Sequence, residues 1–278
     1  LLSGVPVTER RLELAGISTA ALDGGDGPPL LLLHGPGGYG AMWRQVIPEL
    51  AKAHRVIAPD LPGHGSSTPV RGGLDAGRVL SWLGKLIHET CPAPPVLVGQ
   101  LVGGAIAARF AAGDGDGLHR LVLVVPFGLA PFRPAPSFGA ALTGFLADPG
   151  EDTHDELWRH CVHDLDALRS RPDVGWERMK AYNLDRARAP GATGALQALV
   201  GEFGGVIPEA DLERITVPTT LIWGRHDSIV PLSVGERAAA RYGWPLRVIE
   251  DAGNEPAIEA PDAFASALLD ASGAGTAR

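Results

Sequence analysis

Short apolar runs bounded by Gly, Pro and Asp alternate along this chain with stretches whose apolar residues recur every three to four positions. The first pattern is that of buried strands and the second that of helices with one buried stripe. Their alternation predicts a parallel sheet flanked by helices. RRLELAGISTAALDG (10–24) predicts an opening hairpin, followed by strands in PPLLLLHG (28–35), HRVIAPD (54–60), PPVLVG (94–99) and HRLVLVVPF (119–127). YGAMWRQVIPELAKA (39–53) has helical spacing at Met42, Val46 and Leu50, with Pro48 in the middle. LDAGRVLSWLGKLIHET (74–90) and LVGGAIAARFAA (101–112) predict two further helices.

After residue 127 the alternation stops. SFGAALTGFLA (137–147), DTHDELWRHCVHDLDALRS (152–170), GWERMKAYNLDRARA (175–189) and ATGALQALVGEF (192–203) all read as helices, with no strand between them. In the second, Leu157, Trp158, Cys161, Val162, Leu165 and Leu168 form one stripe, and His160 and His163 fall on the opposite, solvated face. The strand pattern resumes in PTTLIWGRHD (218–227) and PLRVIEDAG (245–253), with helices in SVGERAAARY (233–242) and PDAFASALLDA (261–271). The expected organisation is therefore an α/β core, 1–127 and 213–278, with an all-helical cap, 128–212, over one end of the sheet. The tail SGAGTAR (272–278) is expected to be disordered.

Composition narrows the partners. At 278 residues and 45% hydrophobic, the chain can bury one large core. A net charge of −8 with interspersed signs argues against nucleic acid or an anionic membrane surface as partner. No apolar run approaches the ~18 residues of a membrane span. The apolar part of LLSGVPVTERR is too short for a signal peptide, so a cytoplasmic location is expected; the opening Leu in place of Met reads as a trimmed start. Cys91 and Cys161 lack metal-ligand spacing and read as reduced thiols. Lys occurs only at 52, 85 and 180, and with abundant Ala, Gly and Pro this suits a high-GC bacterial gene. A small-molecule ligand, no metal, no cofactor and a monomer or homodimer are the expectations.

HGPGG (34–38), DLPGHGSS (60–67), GQLVG (99–103), GRHDSIVP (224–231) and DAGNEPAIEAP (251–261) fall at the carboxyl ends of successive predicted strands, where open α/β sheets place their sites. In this order they resemble the α/β-hydrolase superfamily over nearly the whole chain. The likeness is to its capped branch of esterases, meta-cleavage hydrolases, epoxide hydrolases and proline iminopeptidases. The resemblance implies an α/β-hydrolase fold, mostly parallel, with a strained nucleophile elbow between Gly99 and Gly103. It implies an oxyanion hole from Val102 and the loop Gly35, Pro36 and Gly37, a triad acid at Asp227, and a packing role for Glu259 and Pro261.

Two positions depart from the family pattern. The nucleophile position holds Leu101 and the histidine position holds Asn254. A hydrocarbon cannot attack and an amide does not titrate, so the covalent triad mechanism is closed to this chain. Ser66, Ser67 and Ser228 lie in neighbouring loops, away from the elbow. His34 and His64 read as structural, and His226, beside Asp227, is the remaining histidine candidate. Asn254 is expected to donate to Asp227, whose burial in a dry pocket would raise its pKa and make it a candidate acid or base. His34, Gln100, Phe127, His154, Trp176, Tyr182 and Val230 are expected to line the pocket. The first expectation for function is a cofactor-free, non-hydrolytic enzyme (lyase, isomerase, decarboxylase or cyclase) acting on a small, largely apolar metabolite. The alternatives are an inactive homologue that binds a small ligand or partner, and a hydrolase altered at Leu101 and Asn254 or using a nucleophile not placed in the sequence.

Overall fold

A computed structural model describes residues 2, 4–70 and 72–274; most of the tail for which disorder is expected lies outside the described residues. Eight strands form one sheet: β1 (Thr8–Leu14), β2 (Ile17–Gly24), β3 (Pro29–Leu33), β4 (Arg55–Pro59), β5 (Val96–Gln100), β6 (Arg120–Val124), β7 (Thr219–Gly224) and β8 (Leu246–Ile249). Their spatial order is β1-β2-β4-β3-β5-β6-β7-β8. The opening hairpin and the β2–β4 pair are antiparallel, and every later pair is parallel. Leu30–Leu33, Val96–Val98 and Leu121–Val124 are buried on both sides of the sheet, which is why they read as unbroken apolar runs. Parallel pairing brings the carboxyl ends of β3 to β8 to one edge, so the motif-bearing loops gather there.

The helix expected over 39–53 is two short pieces, a 3-10 turn over Gly40–Trp43 and α1 (Ile47–Leu50). Pro48 lies in the first turn of α1, where its missing N–H removes no helical bond; a continuous helix through it would lose one and clash. Next come α2 (Ala76–Thr90), capped by Asp75 accepting from the Arg78 N–H at 2.9 Å, and α3 (Val102–Asp114).

Between β6 and β7 the chain runs through α4 (Pro136–Ala147), α5 (Glu151–Cys161), α6 (Leu165–Ser170), α7 (Trp176–Ala187), α8 (Ala192–Phe203) and α9 (Glu209–Leu212). The single helix expected over 152–170 is broken. The Asp164 carboxylate accepts from the Ala167 N–H at 2.9 Å and starts α6 afresh. Trp158, Val162, Leu165, Leu168, Trp176 and Met179 form a small core of their own with Tyr39, Met42 and Ile258, apart from the main core. Leu199, Phe203 and Leu212 instead join the main core, so the end of the helical segment is rooted on the sheet layer. The chain closes with α10 (Leu232–Tyr242), α11 (Pro256–Glu259) and α12 (Pro261–Ser272). No helix among the described residues is long and apolar enough to cross a membrane, and Cys91 and Cys161 are both free thiols.

Candidate active site

The turn from β5 into α3 is a tight elbow with Leu101 at its tip. Leu101 has φ 49° and ψ −112°, a region that side chains other than Gly rarely adopt and that costs about 1–3 kcal/mol. Close packing enforces it: a Cβ on Gly99 would lie 2.2 Å from the Gly103 carbonyl oxygen, and one on Gly103 2.6 Å from the carbonyls of Leu33 and His34. The Leu101 N–H donates to Val124 O and its carbonyl accepts from Phe127 N–H, both at 3.1 Å, which pins the turn to β6. Its side chain is buried and rests against Gly35. Val102 opens α3, so its N–H has no carbonyl one turn back.

Across from it, Gly35, Pro36 and Gly37 form the other part of the expected oxyanion hole. Pro36 is a correction: it has no N–H and cannot donate, so of these three residues only Gly35 and Gly37 have an N–H to offer. The Gly38 N–H is spent on Gly35 O at 3.1 Å. His34 does not line the pocket. It is fully buried beneath the loop, with Nδ1–H donating to Gly35 O at 2.7 Å and Nε2 accepting from Leu61 N–H at 2.9 Å. Burial and the neighbouring His64 push its pKa down to about 3, so it is a neutral bolt between two loops.

Asp227 is buried, with Oδ1 accepting from the N–H groups of Ile229 and Val230 at 2.8 Å and Oδ2 from Asn254 Nδ2 at 3.0 Å. Burial raises its pKa to about 6 against the pull of these three donors. Asp227 does not reach the cavity; Asn254 stands between them. Val230 is likewise behind the wall, which Ile229 supplies. Glu259 anchors the same loop: Oε1 accepts from Gly253 and Glu255 N–H at 2.9 and 3.1 Å, and Oε2 from His163 N–H at 2.6 Å. Its burial raises its pKa to about 7.

The carboxyl that does reach the cavity is Glu255. Gln100 Nε2 donates to Glu255 Oε2 at 3.0 Å and to Asn254 O at 2.9 Å. Burial pushes the Glu255 pKa up to about 8, against the Gln100 bond and helped by the charges of Glu259 and Asp227, so the group holds its proton at neutral pH. Sequence reasoning missed it. The only signal was a charged residue directly after the histidine position.

Leu101, the Gly35–Gly38 loop, Gln100, Asn254 and Glu255 open onto one cavity of about 620 Å³ between the sheet edge and the helical segment. Phe127, Phe132, Phe138, Leu142, Phe145 and Leu146 give it a broad apolar wall. His154 lines it as expected from the sequence, but both ring nitrogens are engaged: Nδ1–H donates to Asp155 at 3.2 Å, and Nε2 accepts from Asn183 Nδ2 at 3.1 Å. Trp176 and Tyr182 do not line it. Trp176 packs edge-on to Trp158 and His154 in the cap core, and Tyr182 packs edge-on to Tyr39. The stripe positions around them serve packing rather than the pocket.

Two of the candidate serines are committed to backbone partners. Ser67 Oγ donates to Asp60 O and accepts from Ala20 N–H, and Ser228 Oγ donates to His160 O. Cys161 lines the cavity, but burial and the surrounding carboxylates raise its pKa well above the usual thiol value, so it stays protonated. His226 points to the surface, stacked on His163 at 3.7 Å. Among the described residues no group of three or more His, Cys, Asp or Glu is placed to hold a metal ion. His64 differs from the other histidines. It lines the cavity, Nδ1–H donates to Pro62 O at 3.1 Å, and the buried Nε2 has no protein partner. Leaving such an atom unsatisfied costs about 1–3 kcal/mol.

The architecture has known counterparts. Residues 30–267 match the model of the alpha/beta hydrolase family. The chain is 30% identical to the pimeloyl-acyl-carrier protein methyl ester esterase of Aeromonas hydrophila over 246 residues, covering 86% of this chain and 93% of that protein. It is 31% identical to the same-named esterase of Aeromonas salmonicida over 247 residues, with the same coverage. Among solved structures, the 2-hydroxy-6-oxo-6-phenylhexa-2,4-dienoate hydrolase of Rhodococcus sp. strain RHA1 superposes with a TM-score of 0.83 at 27% identity, covering 95% of this chain and 98% of that one. The expectation of lyase, isomerase, decarboxylase or cyclase chemistry is overturned by these likenesses, all of which are to hydrolases. It rested on the loss of two triad side chains, and that loss removes one route to hydrolysis rather than hydrolysis itself. With the family model matched over most of its length and the sheet order in agreement, the chain belongs to the alpha/beta hydrolase family.

Proposed function

We propose that this protein hydrolyses an ester of a small, largely apolar acyl group, with water in place of a side chain as the nucleophile. The observation that carries the reading is the protonated Glu255 carboxyl, in the same cavity as the Leu101 elbow and the Gly35–Gly37 loop. The N–H groups of Val102 and that loop receive the carbonyl oxygen as it gains charge, and preorganised donors in a dry site act without reorganising. Glu255 gives its proton to the departing alkoxide, which is a poor leaving group unprotonated. Asp227 keeps Asn254 in place and takes no proton from substrate. Helices across 128–212 form the lid that excludes bulk water, and the aromatic wall takes the acyl chain. The similar esterases of the two Aeromonas species, named for a methyl ester, favour an ester over other carbonyl substrates. No cofactor takes part, and the reaction suits the cytoplasm.

The test is Glu255→Gln with two esters of one acyl chain. Nitrophenolate leaves without a proton and methoxide does not. Turnover of methyl butyrate should therefore fall about 10²-fold or more, and turnover of 4-nitrophenyl butyrate much less. No hydrolysis of either ester by the unmodified protein, or equal losses on both, overturns the reading. Leu101 and the engaged serines favour a second reading, a small-ligand binding protein; fluorescent fatty-acyl binding without turnover would establish it.

A further inference from the structure

We propose that His64 is the general base that activates the attacking water. This rests on the hydrolase reading above and supplies the group that reading lacks, since a protonated carboxyl can give a proton but cannot take one.

Three observations carry it. His64 lines the same cavity as Gly35, Gly37 and Leu101. Its tautomer is fixed: Pro62 O can only accept, so Nδ1 carries the hydrogen and the lone pair sits on Nε2. That Nε2 is buried and has no protein partner, unlike both nitrogens of His34 and of His154. Burial lowers the pKa of the ring, so the lone pair is free at neutral pH.

The loop is built to hold the ring still. Asp60 accepts from Gly40 N–H and Ser66 N–H, both at 2.7 Å, and Ser67 N–H donates to His64 O at 2.9 Å. Gly65 has φ +52°, and a Cβ there would lie 2.2 Å from the Asp60 carboxylate. The loop is also tied to the oxyanion side through Leu61 N–H and His34 Nε2. A base on so rigid a support meets the positional demand of catalysis.

The step balances without further reagents. Nε2 takes one proton from water as its oxygen bonds to the ester carbonyl carbon, whose own oxygen becomes the oxyanion. The carbon–oxygen bond to the leaving group then breaks, and Glu255 protonates the alkoxide. The His64 imidazolium returns its proton to the Glu255 carboxylate through water, and acid and alcohol leave.

The experiment is steady-state hydrolysis of 4-nitrophenyl butyrate by the full chain, for which the leaving group needs no acid and only the base matters. His64→Gln should lower kcat about 10²-fold or more with KM within about threefold. His64→Ala should lose as much and recover in part when imidazole is added. If His64→Gln keeps kcat within about threefold, or folded His64→Ala gains nothing from imidazole, His64 is not the base, while the hydrolase reading stands on wild-type turnover. If the unmodified protein does not exceed the uncatalysed rate, both fall.

Discussion

The elbow at Leu101 and the loop from Gly253 to Glu259 are two walls of one cavity, and they are held by opposite means. The elbow is fixed by what is missing. Gly99 and Gly103 leave no room for side chains, and the tight turn forces Leu101 to positive φ. The loop is fixed by what is present, as Glu259 gathers three backbone N–H groups and Asn254 ties itself to Asp227. One wall has lost its titrating side chain and kept its backbone. The other gathers three carboxyls, two of which, Glu255 and Glu259, are pushed to about 8 and 7. A turn made of glycines and dihedral angles keeps its shape whatever side chain stands at its tip, because the packing of the sheet depends on it. Chemistry is then free to move to the wall whose groups still titrate.

The sharpest way to break the contrast is to fill the elbow. Gly103→Val would drive a branched side chain into carbonyls that a single Cβ already meets at 2.6 Å. The expected loss is at least about 4 kcal/mol, enough to leave little folded protein, as read by urea unfolding or soluble yield. Next is restoring the lost chemistry. In Leu101→Ser with Asn254→His, the imidazole Nδ1–H can take over the bond Asn254 now gives Asp227 at 3.0 Å. Turnover of 4-nitrophenyl esters should rise about 10²–10⁴-fold, with covalent labelling by a fluorophosphonate that the unmodified chain does not show. A double variant that folds but is not labelled would mean that the elbow no longer presents its tip correctly.

The fold was legible because its signals are local and redundant: apolar runs that fit doubly buried strands, and motifs at their carboxyl ends. Errors came where one polar residue outweighed a helical period, at Pro48 and at Asp164. The elbow and the Asn254–Asp227 pair were legible through the resemblance to the α/β-hydrolase pattern. Glu255 and His64 were not, because their importance comes from burial and from hydrogen-bond partners present or absent. Trp176 and Tyr182 failed in the reverse direction. Helical spacing puts them on a buried face but does not say whether that face meets a cavity or another helix.

A smaller change separates anchoring from chemistry on the second wall. Asn254→Ala removes one of the three donors to Asp227 and leaves its Oδ2 buried and short of a partner. A loss of about 1–3 kcal/mol is expected in chemical denaturation at pH 7.5, where Asp227 is ionised. Methyl ester turnover per folded molecule should fall only severalfold, since neither residue moves a proton. A hundredfold loss with intact stability would instead place Asn254 or Asp227 in the reaction.

The smallest effect, and the most selective for the carboxyl-rich wall, is the dependence of stability on pH. Glu255 titrates at about 8 when folded, above the ordinary 4.5 of an unfolded glutamate. Between these values the unfolded chain has released the proton and the folded chain still holds it, so rising pH favours unfolding. The contribution is fully present below pH 4.5 and is lost as pH climbs through 8. Glu255→Gln cannot ionise, and its amide oxygen can still accept from Gln100. The variant and the unmodified protein should therefore melt together near pH 4.5, and the variant should melt higher at pH 8.5. In a chain of this size the gap is about 2–4 °C for each kcal/mol relieved. Differential scanning calorimetry at the two pH values decides it: parallel melting at both would show that Glu255 ionises freely in the folded protein, and so cannot hold the proton that the leaving group needs.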